Sequence, residues 1–168
     1  MMSHEIKTLE SRSELLEQFR RVSEPKLLID CSDSSPNQYK LIQIDSFTAG
    51  LIDHSFGVPI QIDSTGDPST LLIGHESQLD CISVSAAKVL WTFKLDSVFF
   101  QFKSFKNKSC IVVIEETGVL VLDYNGNKIW SYPTDVITDY QITDSAVMIK
   151  TMDEKDLELS ITTGKLLS

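Results

Sequence analysis

Histidine is scarce in this chain, with only His4, His54 and His75 among 168 residues. No H-x-H or H-x-x-x-H spacing occurs, so no short segment supplies a metal pair. The three cysteines, Cys31, Cys81 and Cys110, are odd in number and far apart, with no C-x-x-C, which excludes a disulfide framework and a zinc-finger spacing. Reduced, mostly buried thiols and a cytoplasmic location are expected. Neither G-x-G-x-x-G nor G-x-x-x-x-G-K-S/T is present, so the usual phosphate cradles are missing. No G-x-S-x-G elbow appears, and Asp53-His54-Ser55 are adjacent in sequence, so they point apart and cannot form a hydrolytic relay among themselves. No apolar run approaches a membrane span, and the N-terminus lacks the apolar core of a secretory signal. The expectation is a chain with no metal, no cofactor and no catalytic machinery.

Basic charge is also short. The formal net charge is −9, and residues 1–26 are balanced at five basic and five acidic side chains, so the whole deficit lies beyond them. Such a surface repels nucleic-acid phosphates and anionic membranes and attracts a basic partner.

What is present is regular. Ser11-Arg-Ser-Glu14 fits a capping box, and Leu15, Leu16, Phe19 and Val22 follow on one helical face until Pro25. This predicts an amphipathic helix over about 11–23, preceded by a short strand at Glu5–Leu9. From residue 27 the apolar period becomes two, and short β-rich runs alternate with turn residues. A single domain is expected, with strand and helix cap in 1–26 and β repeats in 27–168.

The β region repeats. LDCISVSAAKVLW overlies GVLVLDYNGNKIW, with Trp91 and Trp130 39 residues apart, and DLELSITTGKLLS and KLIQIDSFTAGLI share the shape. The central residues Ile44, Ile82, Val121 and Leu159 are spaced 38, 39 and 38. Leading runs LLID (27–30), LLIG (71–74), IVVI (111–114) and VMIK (147–150) precede the hairpins, and the first copy carries an insertion at 53–68. Asn125-Gly126 reads as the positive-φ pair of a type I′ turn, because the calcium-like Asp123, Asn125, Asn127 series meets Thr134 where a Glu is needed. Most of the rings of VFFQFKSF (98–105) are expected in the core, with an exposed partner-docking patch as the second choice.

LDYNGNKIW and LSITTGKLL resemble the blade repeat of pyrroloquinoline-quinone-type and WD-like β-propellers, in which an Asp, a Gly-Lys turn and a Trp recur and the Trp docks one blade on the next. Asp123, Gly126, Lys128 and Trp130 stand near those places in one copy, Gly164 and Lys165 in another, and Trp91 in a third. The fourth copy reaches Ser168 where the Trp would stand, and the first has Asp53. The predicted fold is mainly β, about four repeats of three to four strands in a small or incomplete propeller-like array, with the helix covering an open end strand. A β-sandwich or meander plus helix is the alternative.

In that array the turns between leading and second strands share one rim: Asp30 and Asp33; Glu76 and Asp80; Glu115 and Glu116; Asp153, Glu154 and Asp156. The opposite turns are neutral or carry lysine. The sequence therefore predicts a partner-binding edge of Glu76, Asp80, Glu115, Glu116, Asp153, Glu154 and Asp156. The leading reading is a non-enzymatic protein-binding module for a basic protein, with an immunity protein against a basic toxin as its specific form. An assembly module, homodimeric through an open β edge, belongs to the same class. The competing class is a small-ligand or carbohydrate binder, or an enzyme, with a pocket near the insertion formed by Asp53, His54 and His75 or with Trp91 or Trp130 exposed.

Overall fold

The computed structural model describes residues 4–31, 35–65 and 67–167. Among them the chain is mainly β, with four sheets and one α-helix. That helix is neither long nor apolar enough to cross a membrane. By contact the chain divides into two compact units, Met1–Glu76 with Asp80–Leu90, and Ser77–Leu79 with Trp91–Ser168.

The first sheet contains β1 (His4–Leu9), β2 (Lys26–Asp30), β3 (Gln38–Ile44) and β4 (Phe47–Asp53), in the order β1-β3-β4-β2. β3 and β4 form an antiparallel hairpin, and β1 lies antiparallel on β3 with His4 opposite Ile44. β2 runs parallel to β4, from Lys26 opposite Thr48 to Asp30 opposite Ile52. The expected meander of leading, second and third strand therefore fails in this copy. LLID pairs directly with FTAGLID, with β3 on the far side of β4, a connection that no local pattern announces.

Helix α1 (Arg12–Arg21) begins where the capping box placed it: Ser11 Oγ accepts from Glu14 N at 3.2 Å, and Glu14 Oε2 accepts from Glu10 N at 2.9 Å. It was expected to cover an edge. It covers a face instead, because its apolar stripe of Leu15, Phe19 and Val22 packs with Leu9, Leu28, Leu41 and Ile52. Gly50 allows that approach, since a Cβ there would meet Leu28 Cδ1 at 2.9 Å and Phe19 Cδ2 at 3.2 Å. The other face of the sheet buries Ile42, Ile44, Phe47, Ala49 and Leu51 against Leu71, Ile73 and Ile82. With both faces covered, every residue of β4 is buried, which explains its nearly continuous apolar reading.

The second sheet runs β5 (Gln61–Ser64), β6 (Thr70–His75), β7 (Gln78–Ser83) and β8 (Lys88–Lys94) in chain order. β5 comes from the supposed insertion and pairs antiparallel with β6, Gln61 opposite Gly74. The leading run LLIG is thus the second strand, not the first.

In the second unit, β9 (Phe99–Phe105), β10 (Cys110–Glu115), β11 (Gly118–Asp123) and β12 (Lys128–Pro133) form an antiparallel meander, followed by the three strands β13 (Ile137–Ile142), β14 (Ala146–Thr151) and β15 (Asp156–Ser160). Leu166 then bridges back to Leu159. Phe99, Phe102 and Phe105 are buried, as expected of that aromatic run. The core joins Val112, Ile114, Val119 and Val121 to Ile137, Val147, Ile149 and Leu159.

The 38-residue spacing is structural. Counted from β2, β5, β9 and β13, the third strands of the sheets are β3, β7, β11 and β15, and they carry Ile44, Ile82, Val121 and Leu159. Trp91 and Trp130 repeat one contact as well: Trp91 Nε1 donates to Tyr124 O at 3.0 Å, and Trp130 Nε1 to Ile161 O at 2.8 Å.

Candidate functional site

In an antiparallel meander alternate connections fall at the same strand ends. One such set in the second unit comprises the loop 95–98, the turn at Glu116–Thr117, the loop 134–136 and the turn 152–155. Their backbones are joined to one another. Glu116 N donates to Val98 O (2.8 Å), Thr134 N to Thr117 O (2.9 Å), Ile137 N to Glu116 O (2.8 Å) and Met152 N to Val136 O (2.8 Å). Thr117 N donates to Ser97 Oγ at 3.0 Å.

With the main chain satisfied laterally, the carboxylates turn outward: Asp96, Asp135, Asp153 and Glu154 are exposed and Glu116 half-buried. Lys155 is the one cation of the turn 152–155, and its Nζ lies 2.5 Å from Asp153 Oδ2. Hydrogen bonds from Lys155 and from Thr151 Oγ1 hold the Asp153 carboxyl below its ordinary pKa, so it stays ionised. Between the turns lies a recess of ≈ 280 Å³ lined by Tyr132, Asp135, Thr151, Asp153 and Lys155. The other ends of these strands carry exposed Lys106, Lys108, Lys128 and Lys165. Of the acids there, Asp144 faces Lys103 at 3.9 Å, and Asp123 is occupied by its own turn.

The residues of the predicted edge fall in different places. Glu116, Asp153 and Glu154 stand on the rim described, and Glu76 is half-buried in the β6–β7 turn of the first unit. Asp80 and Glu115 must be corrected, because both are buried. Glu115 Oε2 accepts from Ser97 N at 2.9 Å, and Asp80 Oδ2 lies 2.9 Å from His75 Nε2. A carboxylate both buried and consumed by an internal donor offers nothing to a partner. Asp156 sits on β15, 3.9 Å from Lys150, rather than in the turn. Asp30 pairs with Arg12 at 2.5 Å, and Asp33 lies outside the described residues. Asp96 and Asp135 were missed; they follow the tryptophan-bearing strands, whose loops share this rim by the same alternation.

Two further expectations change. Gly126 alone, not Asn125, has positive φ (+82°), and Asp123 Oδ1 closes the wider turn by accepting from Asn125 N and Asn127 N, each at 2.8 Å. Trp91 and Trp130 are half-buried against glycine turns, with their N–H groups engaged, so neither stands free as a sugar platform.

A second cluster lies inside the first unit. His75, at the end of β6, is fully buried between two carboxylates: Asp53 Oδ2 is 3.2 Å from Nδ1 and Asp80 Oδ2 is 2.9 Å from Nε2. Gln38 Nε2 donates to Asp53 Oδ1 at 2.8 Å. Burial opposes a charged imidazole here, yet the hydrogen bonds and charges of Asp53 and Asp80 prevail, and the His75 pKa is raised. Cys31 adds its sulfur; Sγ, a ring nitrogen of His75 and an oxygen of Asp80 all lie within 4.8 Å of one another. Asp53 and His75 thus meet, but His54, named with them for a pocket, does not join them. Its Nδ1 is 3.1 Å from Ser35 O, and its ring is 4.9 Å from that of Phe56.

No protein-family model matches the sequence, and no curated protein sequence matches it either. Among solved structures, the chain is similar to BamB from Moraxella catarrhalis, at 14% identity and a TM-score of 0.51, over 100% of this chain and 51% of that one. It also matches a protein of unknown function from Bacteroides caccae (17% identity, 61% of this chain and 40% of that one, TM-score 0.46) and Hsv2 from Kluyveromyces lactis (12%, 66% and 36%, 0.41). The chain spans about half the length of the BamB structure. That similarity supports a β-propeller-type fold.

Proposed function

We propose that the chain is a non-enzymatic protein-binding module that captures a basic partner on the acidic rim of its second unit. The observation that carries this reading is the row of Asp96, Glu116, Asp135, Asp153 and Glu154 on loops joined by backbone hydrogen bonds, with lysines at the opposite strand ends. Carboxylates fixed side by side sum into a field that steers an oppositely charged protein, and exposed Asp96, Asp135 and Glu154 are left to meet its lysines or arginines while Asp153 already holds Lys155. A basic toxin domain is one member of that partner class, and nothing beyond charge singles it out. The three cysteines form no disulfide, which suits a reducing compartment.

The test is a comparison of the wild type with the triple variant Glu116→Lys, Asp153→Lys, Glu154→Lys. The basic protein retained by the wild type is purified, and its association rate with each is measured from low to high salt. The expected result is a rate lower on the order of tenfold to hundredfold for the variant at low salt, converging as salt rises. Equal rates at low salt would overturn the reading.

A further inference from the structure

We infer that Cys31, His75 and Asp80 form a binding site for one zinc-class divalent cation, with Asp53 as the carboxylate that orients the imidazole. The donor set is what such an ion takes: a thiolate, an imidazole nitrogen and a carboxylate oxygen. Around tetrahedral zinc, ligand atoms stand about 3.3–3.6 Å apart. The separations here, 2.9 Å for His75 Nε2 to Asp80 Oδ2 and no more than 4.8 Å across the group, bracket that value. Small side-chain shifts would admit the ion.

The surroundings are ordered as a metal site requires. Nε2 faces the co-ligand Asp80, while Nδ1 faces Asp53 Oδ2 at 3.2 Å, the arrangement in which a carboxylate fixes the ring so that the other nitrogen can coordinate. Asp53 is itself held by Gln38 Nε2 at 2.8 Å. Cys31 is placed by the sheet, since its N–H donates to Ile52 O at 2.9 Å just beyond β2. His75 and Asp80 flank the β6–β7 turn. His75 and Asp80 are buried and Cys31 is half-buried, so Cys31 provides the approach from solvent. The ion would take the place of the hydrogen between His75 and Asp80 and of the thiol hydrogen, releasing protons to water. Three protein ligands leave one position for a water molecule.

Sequence spacing could not show this site, because its residues lie at 31, 53, 75 and 80 and meet only through the packing of two sheets. The test uses the full chain, stripped with a chelator and titrated with Co²⁺ and then Zn²⁺. The expected result is saturation at one equivalent of Co²⁺, with the visible bands of a tetrahedral ion and a near-ultraviolet thiolate charge-transfer band, all abolished by Zn²⁺. Cys31→Ser should remove the charge-transfer band. Asp53→Asn should keep the spectrum but weaken Co²⁺ binding about tenfold to hundredfold. Folded wild type that develops no thiolate band, or a band that survives in Cys31→Ser, would overturn the inference.

Discussion

Trp130 lies so close over Gly164 that a Cβ on the glycine would come within 2.7 Å of the ring's Cδ2, while the indole N–H reaches Ile161 O at 2.8 Å. Trp91 holds Gly126 in the same way, again at 2.7 Å. Gly164 and Gly126 have φ of +67° and +82°, so a side chain there meets both backbone strain and the ring. Gly164→Ala should destabilise the second unit by about 2–4 kcal/mol. Denaturant unfolding followed by Trp fluorescence measures it, and an unchanged midpoint would show that the ring moves aside freely.

Neighbouring carboxylates should behave as opposites. Glu115→Ala leaves Ser97 N without its acceptor and should cost about 1–3 kcal/mol in stability while leaving the partner association rate unchanged. Glu116→Lys should slow association and leave stability within about 0.5 kcal/mol. Thermal melts beside association kinetics separate the two effects.

Asp123 should contribute to acid sensitivity. Its carboxylate accepts from Asn127 and Asn125, and these hydrogen bonds, Asn127's first, hold its pKa below the ordinary value. A depressed folded-state pKa stabilises at pH above the unfolded value near 3.8, and the stabilisation disappears as pH falls through the folded value. Asp123→Ala should lower stability by on the order of 1 kcal/mol at neutral pH and show a flatter loss below about pH 4. Parallel slopes for the two proteins in acid would contradict this.

The thiols should separate by reactivity. Burial, with the Asp80 charge added, pushes Cys81 up to about 11, and burial raises Cys110 as well. Alkylation of the native, metal-free protein at about pH 8 should modify Cys31 first and reach the other two only on unfolding. Peptide mass spectrometry over time gives the order; equal rates at all three would contradict it.

Much of this fold was legible because its regularities are local. The switch from a helical period to a period of two marks the end of α1, and the recurrence of Ile44, Ile82, Val121 and Leu159 marks the third strands. What escaped depends on distant chain. Nothing near Glu115 indicates that an N–H eighteen residues earlier will claim it. Nothing near LLID indicates a parallel neighbour, since parallel pairing needs a crossover and leaves no turn signature. The rim was half-read for a similar reason, as Asp96 and Asp135 lie in loops between sheets rather than in the hairpins the repeat emphasised. Asp53 and His75 meet only because one sheet stacks on the next.

The parallel seating of β2 beside β4 has a consequence for how the chain assembles. Its one strand partner, β4, follows only after the whole of β3, so β2 has no place to settle until residues up to Asp53 have left the ribosome and folded back. The later sheets can close hairpin by hairpin as they emerge, whereas this one must wait for a long loop to shut. Nascent chains halted before β4 should therefore remain protease-sensitive over β2.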